Sequence, residues 1–140
     1  MPDVLLERVL TQGDQQYARR VTTDGRVWVR STVSASLADG EWTFGEGDDE
    51  WRELAALTPA ELDAVRLAIE TSGFLDTVPD YGPSSTVIGG SSERWTAHLH
   101  GRTHATVLRG MPETTVPAVT AVSDALHEAL AAADRRKHQG

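Results

Sequence analysis

Three segments of alternating apolar and polar residues open the chain, and this alternation is the feature that most limits its fold. Gly13-Asp14 and Asp24-Gly25 separate the segments, and both pairs are typical of two-residue hairpin turns. The pattern therefore predicts an antiparallel meander. If these turns set the register, Val21 faces Trp28, while Glu7 lies opposite Arg20 on the other side. Five residues then share the face that we expect to be buried: Leu6, Leu10, Tyr17, Val21 and Trp28.

The strongest helix signal follows this meander. Thr58-Pro59-Ala60-Glu61 fits a capping box, with Thr58 as the N-cap and Pro59 at the first helical position. Gly73 fits the left-handed position that commonly ends a helix. The signals predict a helix over residues 59 to about 72.

A second hairpin and a second helix complete the pattern. Residues 94–100 and 103–109 flank Gly101-Arg102, and Pro117 opens an apolar stripe at helical spacing. The hairpin should place six residues on one face: Trp95, Ala97, Leu99, His104, Thr106 and Leu108.

The order of these segments predicts the fold class. We expect an α+β domain with an antiparallel sheet of about five strands, built from a meander plus a hairpin, and two helices packed on one face. One domain should span residues 1–136, and residues 137–140 should form a frayed tail.

Composition excludes several chemistries. The chain has no cysteine, so it has no disulfide, no thiolate metal site and no cysteine nucleophile. The net charge of −8 comes entirely from the segment between Asp39 and Asp80, because its twelve carboxylates against only Arg52 and Arg66 give a local charge of −10. Such a field repels phosphate backbones, so we expect no nucleic-acid partner.

The sequence also predicts where in the cell the protein is located. No run of about 18 apolar residues occurs, so no membrane span is expected. The first residues carry Asp3 where a signal peptide has positive charge, which predicts a cytoplasmic protein. Abundant arginine against the single Lys137 suggests a bacterial source.

The segment over residues 39–53 combines aromatic and acidic side chains, and we interpret residues 34–53 as a loop or edge strand. Aromatic residues ringed by charge are typical of binding hot spots. Alternatives are that Trp42 and Trp51 fill the core, or that the carboxylates are solvated or bind calcium. The candidate partner-binding residues are Trp42, Phe44, Glu46, Asp48, Asp49, Glu50 and Trp51.

No other motif predicts a catalytic, cofactor or metal site. His98 and His100 alternate on one strand and could share a metal, but no third ligand is predicted beside them. Ser123 and Asp124 lie near His127 on the last helix, without an oxyanion hole. The serine-rich stretch over residues 84–92 lacks the Gly-Lys-Ser/Thr ending of a phosphate loop.

A family resemblance covers roughly residues 57–135. The run Leu57-Thr58-Pro59-Ala60-Glu61-Leu62, then Ser72-Gly73-Phe74-Leu75, the strand pair and Val116-Pro117 resemble small bacterial domains of the emfourin type. Those domains are single-domain inhibitors of thermolysin-like metallopeptidases, and related uncharacterised bacterial families share the layout. The resemblance implies a small binding protein and transfers no inhibitory residue.

The function expected from the sequence is therefore a non-catalytic binding or regulatory domain that engages a protein partner through residues 39–53. Inhibition of a thermolysin-like metallopeptidase is the alternative that the resemblance implies. An enzyme or metal-binding protein using His98 and His100 is a third hypothesis. Homodimerisation through an exposed strand edge stays open.

Overall fold

The computed structural model describes residues 3–12, 15–47, 50–81, 91–109 and 116–139, and for a few of these, within strands and at the chain's end, the backbone alone. The fold is α+β. Strands and helices follow one another as β1 (Val4–Gln12), β2 (Gln15–Thr22), β3 (Arg26–Ser31), β4 (Val33–Ala38), β5 (Glu41–Glu46), β6 (Arg52–Ala56), α1 (Pro59–Thr71), β7 (Asp80–Tyr81), β8 (Ser91–Leu99), β9 (Arg102–Arg109) and α2 (Pro117–Gln139). A single 3₁₀ turn, Phe74–Asp76, follows α1.

The main sheet has the strand order β6-β3-β2-β1-β8-β9-β7. Its first six strands are antiparallel, and the two-residue β7 pairs parallel to β9. The sheet thus has one more antiparallel strand than expected, because β6 was not predicted; only its first two residues fall in the segment 34–53 that was interpreted as a loop or edge strand. β4 and β5 form a separate two-stranded hairpin.

One hydrophobic core joins the sheet to both helices. Leu6 in β1 lies opposite Val21 in β2 and Ala97 in β8, so the three residues share one face of the sheet. That face and the helices bury a common set of side chains, which includes Val27, Trp95, Leu99, Leu62, Val65, Ile69, Val119, Val122 and Leu126.

The register of the meander was predicted correctly for its first turn and wrongly for its second. Leu10 pairs with Tyr17 and Glu7 with Arg20, as expected. Val21, however, pairs with Val27. The second connection has three residues instead of two, with the amide of Gly25 donating to the carbonyl of Thr22 at 3.0 Å and Gly25 at a φ of 89°.

This extra residue moves Trp28 to the other face of the sheet. A shift of one residue exchanges the two faces of a strand, because side chains alternate. Trp28 therefore lies opposite Arg20 instead of Val21. Trp28 was wrongly predicted to be part of the core face, and Val27 takes that place at 0% exposure.

The second hairpin turns one residue earlier than expected. His100 and Gly101 both have positive φ, at 53° and 73°, and Leu99 pairs with Arg102. Each residue of β8 therefore pairs with a residue of β9 two positions from the expected one. A shift of two residues keeps every side chain on its expected face of the sheet. Trp95, Ala97 and the other residues predicted to share their face do so.

Both helices begin where the sequence predicts. The hydroxyl of Thr58 accepts from the amide of Glu61, and the Glu61 carboxylate accepts from the amide of Thr58, which forms the full capping box. Arg136 near the end of α2 also binds Glu61 and donates to the carbonyl of Ala56 at 3.1 Å. The hydrogen bond from Arg136 lowers the pKa of Glu61. This junction ties β6, α1 and α2 together.

α2 runs as far as Gln139, so residues 137–139 of the predicted tail are helical. Among the described residues, no helix combines the length and apolar character needed to cross a membrane.

Gly25 and Gly101 offer a matched test of the second meander turn. A Cβ on Gly25 would meet the carbonyl oxygen of Leu57 at 3.0 Å, whereas a Cβ on Gly101 would meet nothing within 4 Å. Gly101→Ala should cost about 1 kcal/mol, because alanine is disfavoured at positive φ. Gly25→Ala should cost about 2–3 kcal/mol, since the steric contact adds to that strain. Urea unfolding measures both changes, and equal losses would contradict the close approach of Leu57.

Candidate partner-binding surface

The sheet has a second face, which we call the Trp51 face. It consists of the residues that alternate with those of the core face, together with Trp51 immediately before β6. Arg94, His98 and Thr103 on this face are exposed. The members of the Trp51 face include Glu7, Val9, Ala18, Arg20, Arg26, Trp28, Arg30, Trp51, Glu53 and Arg94.

Trp51 lies between two arginines on this face. The Arg20 guanidinium is 4.1 Å from the centroid of the Trp51 ring, and that of Arg30 is 5.0 Å away. Glu7 holds Arg20 in place with a contact of 2.6 Å. Each cation–π contact of this kind contributes about 0.5–1 kcal/mol at a partly exposed site. We call Arg20, Trp51 and Arg30 the arginine–tryptophan stack.

The structure places Trp51 outside the hydrophobic core. It is partly exposed, and it is not among the residues of the core cluster. The alternative that Trp51 fills the core is therefore wrong, and the residue belongs to a polar layer on the opposite face. Whether this layer binds a partner stays a prediction.

Trp28 extends this layer toward the end of the sheet. Its indole N–H donates to the Thr22 hydroxyl at 3.2 Å, and that hydroxyl donates to Asp24 at 2.5 Å. The hydrogen bond from Thr22 lowers the pKa of Asp24, with smaller contributions from the amide and charge of Arg26. The chain of hydrogen bonds fixes the orientation of the Trp28 ring.

The charge of the Trp51 face is opposite to that of the whole chain. Over β1, β2, β3, β6 and β8 this face carries four arginines, namely Arg20, Arg26, Arg30 and Arg94, against the two carboxylates Glu7 and Glu53, and Asp80 in β7 adds a third carboxylate. Arg26 contacts Glu53 at 3.4 Å and Arg20 contacts Glu7. Arg94 forms no ion pair with any residue that the structure describes. The described part of this face is thus a basic area on a chain of net charge −8.

The hairpin of β4 and β5 precedes Trp51 in the chain. Asp39 and Gly40, both exposed, form its turn with φ of 52° and 78°. Glu50 is exposed. Trp42, Phe44 and Glu46 belong to β5, for which the structure describes only the backbone, and Asp48 and Asp49 lie outside the described residues.

Sequence reasoning missed the partners of Trp51. Arg20 was predicted on the polar side of the meander, opposite Glu7, but Trp51 was assigned to a loop or edge strand with no partner named. Recognising β6 as a strand paired with β3 would have brought Trp51 beside Arg30, since Arg52 pairs with Val29. The signal was weak, because β6 has five residues and little alternation.

The histidines do not gather into a metal site. The His98 ring nitrogen lies 2.9 Å from the Thr103 hydroxyl, and His100 lies in the hairpin turn with its ring 2.6 Å from Glu70. His104 is on the core face, where its ring contacts Phe74 edge-on. No group of three potential metal-ligating side chains occurs in the described part of the chain.

The Ser123, Asp124 and His127 group also shows no catalytic arrangement. These side chains form no hydrogen bonds with one another in the part of the chain that the structure describes. Ser123 and Asp124 border a shallow cleft of about 180 Å³ between α2 and the sheet. Glu93 in the same cleft is held by Arg8 at 2.9 Å and by the Trp95 indole. The cleft therefore lacks an activated nucleophile.

No protein-family model matches the sequence, and no curated protein shows significant similarity to it. The resemblance to emfourin-type domains thus stays a prediction, as does inhibition of a metallopeptidase.

Replacing Trp51 and Trp95 separately by alanine tests whether Trp51 is a surface residue. Trp51→Ala should cost about 1–2 kcal/mol of unfolding free energy, because it removes two cation–π contacts and part of an indole surface. Trp95→Ala should cost about 3–5 kcal/mol, since Trp95 is 1% exposed in the core. Denaturant unfolding of both variants checks this, and an equal loss would place Trp51 in the core.

Proposed function

We propose that this chain is a non-catalytic binding domain that engages a protein partner through residues 39–53 and the adjoining Trp51 face. The observation that carries this proposal is the arginine–tryptophan stack. Tryptophan and arginine are the residue types most enriched in binding hot spots. Here they lie together on the sheet face that the core does not use.

The organisation of the stack supports binding more than a purely structural role. Arg20 is fixed by Glu7, and both arginines are fixed against the Trp51 ring. Arg20 donates from its N–H edge to Glu7 while its guanidinium lies over the Trp51 ring. Side chains that are already ordered lose less conformational entropy when a partner binds. The stack thus presents a preorganised surface.

The acidic segment beside the stack adds a second element of recognition. Residues 39–50 contain six carboxylates and no lysine or arginine. A partner would therefore meet negative charge along this segment and positive charge on the Trp51 face. Such an alternation selects a partner of complementary pattern and disfavours partners of uniform charge.

Co-purification from the protein's own cells tests the proposal. The tagged wild-type chain should retain a partner that Trp51→Ala loses, because the variant removes the centre of the stack. Quantitative mass spectrometry of the captured proteins measures the loss. A second variant, with Glu46, Asp48, Asp49 and Glu50 changed to serine, should weaken the same partner's binding.

Leu67→Ala is the matched control for this experiment. Leu67 is 57% exposed on α1, whose buried residues pack into the core on the other face of the sheet, and its replacement should leave the captured proteins unchanged. Unfolding curves verify that each variant is folded. Equal capture by the wild type and by Trp51→Ala would reject the stack as a binding surface.

A further inference from the structure

Arg94 is an exposed cation on the Trp51 face, and its side chain is unpaired. It forms no ion pair or hydrogen bond with any residue in the part of the chain that the structure describes. Arg94 pairs with Val9 in β1 on one side and with Val107 in β9 on the other, and both valines are partly exposed. We call these three residues the Arg94 patch. The patch thus presents one accessible positive charge between two apolar side chains.

The carboxylates of this face do not neutralise Arg94. In the register of the sheet, Glu7 lies diagonally across from Arg94, and Asp80 lies beyond Val107. Glu7 is held by Arg20 at 2.6 Å, and Asp80 takes part in another interaction. A charge between apolar side chains is less screened than a charge in open water. The patch is therefore suited to a carboxylate from outside the chain.

Unpaired carboxylates lie at the tip of the hairpin formed by β4 and β5, which we call the arm. Asp39 and Glu41 flank Gly40 there, and both are exposed. Their side chains form no ion pair or hydrogen bond with the described residues. Asp39 and Gly40 have φ of 52° and 78°, as in the tight turns that fit the twist of a hairpin. This turn holds the two carboxylates at a defined end of the arm, and we call residues 39–41 the acidic tip.

The acidic tip does not fit the Arg94 patch of its own chain. At the base of the arm, the amide of Thr32 donates to the carbonyl of Gln16 at 3.0 Å, and that of Gly47 donates to the carbonyl of Thr32 at 2.9 Å. Strands of six residues place the tip roughly 20 Å from this base. Gln16 and Arg94 are only about 12 Å apart, because two strand spacings and two residues separate them. A straight arm therefore extends past the patch of its own chain.

We propose that this chain forms a two-fold dimer in which the acidic tip of each copy binds the Arg94 patch of the other. This proposal rests on the proposed binding function and names the partner as a second copy of the chain. The tip carboxylates accept hydrogen bonds from the Arg94 guanidinium, and the two valines cover the apolar part of its side chain. Each copy carries one tip and one patch, so the reciprocal contact uses both and closes the dimer.

The size and charge of the contact define the kind of dimer expected. Each contact involves only a few residues, so the two together bury less than the roughly 1,200 Å² of a stable interface, and the dimer should be reversible. Each copy also has a net charge of −8, which opposes association at low salt. At about 0.15 M salt this repulsion is screened beyond roughly 8 Å, whereas the direct contact is shorter than that.

Sedimentation velocity of the full-length protein at about 0.15 M salt tests the dimer. The wild type should change from monomer to dimer between about 10 and 500 µM. Arg94→Glu should weaken association about tenfold, because it sets a carboxylate against the acidic tip. The double variant Asp39→Asn with Glu41→Arg should weaken it by a similar factor, and asparagine tolerates the positive φ of position 39. A wild type that stays monomeric, or a dimer that these changes leave intact, would overturn the proposal.

Mixing the two variants separates a direct contact from a change in structure. In the mixed dimer, the unchanged tip of one copy meets Arg94, and the positive tip of the other meets the carboxylate introduced by Arg94→Glu. Association should therefore return to within about threefold of the wild-type strength. Arg135→Glu is the control, because it makes the same change of charge at an exposed position of α2 and should leave the dimer intact. No recovery in the mixture, or an equal effect of Arg135→Glu, would reject the contact.

Co-purification distinguishes failure of the dimer from failure of the proposed function. Recovery of untagged copies of the chain with the tagged wild type, and their loss with Arg94→Glu, would support the dimer. Capture of a different protein that Trp51→Ala loses, by a chain that stays monomeric in sedimentation, would reject the dimer and leave the proposed binding function standing.

Discussion

The antiparallel ladder between β1 and β8 is the pairing on which the rest of the sheet depends. It joins the N-terminal meander to the C-terminal hairpin, which lie about 85 residues apart in the sequence. Closing so long a loop costs conformational entropy, so the ladder must be stabilised by side chains as well as by its backbone hydrogen bonds. Arg8 provides one such link, since it lies opposite Trp95 and binds Glu93 at 2.9 Å.

The register of this ladder determines both faces of the sheet. With Leu6 opposite Ala97, the apolar residues of the two hairpins fall on one side and can be covered by α1 and α2. The same register sets Val9 opposite Arg94 on the other face of the sheet. The core and the candidate binding surface are therefore two consequences of one pairing. A slip of one residue would exchange them.

The Trp51 face is stabilised by different interactions from those of the core. On the core face, the stabilising term is the removal of apolar surface from water. On the Trp51 face, the Trp51 ring packs against two guanidinium groups, and Glu7 holds one of these groups. This arrangement covers apolar ring surface while the guanidinium N–H groups form hydrogen bonds, as Arg20 does with Glu7. A face of this kind can stay in water without a partner and can still present anchors to one.

Local signals in the sequence predicted most of the helices and hairpins, because their causes lie within a few residues. Thr58 and Glu61 define the capping box on their own, and the alternation around Trp95 fixes its face even when the turn moves by one residue. The position of Trp28 was not predictable in this way. It depends on a three-residue turn that includes Gly25, whereas the pair Asp24-Gly25 is typical of a two-residue turn and so predicts the wrong register.

The candidate site was harder to predict than the fold. Trp51 was predicted to bind a partner because acidic residues precede it in the sequence. Its contacts in the structure come from Arg20 and Arg30, which are distant in the sequence. These contacts exist only because β6 pairs with β3. Long-range pairing of a short strand leaves little periodicity to detect. The basic character of the Trp51 face was likewise not predictable from the net charge of the chain, which is negative.

The central claim is that the Trp51 face is a binding surface. Its most direct test is two-dimensional NMR of the isotope-labelled protein, titrated with the partner that the wild-type chain captures from its own cells. We predict that the indole N–H signal of Trp51 and the amide signals of Arg20 and Arg30 shift together, while those of α1 and α2 stay in place. Shifts confined to the helices would contradict the account.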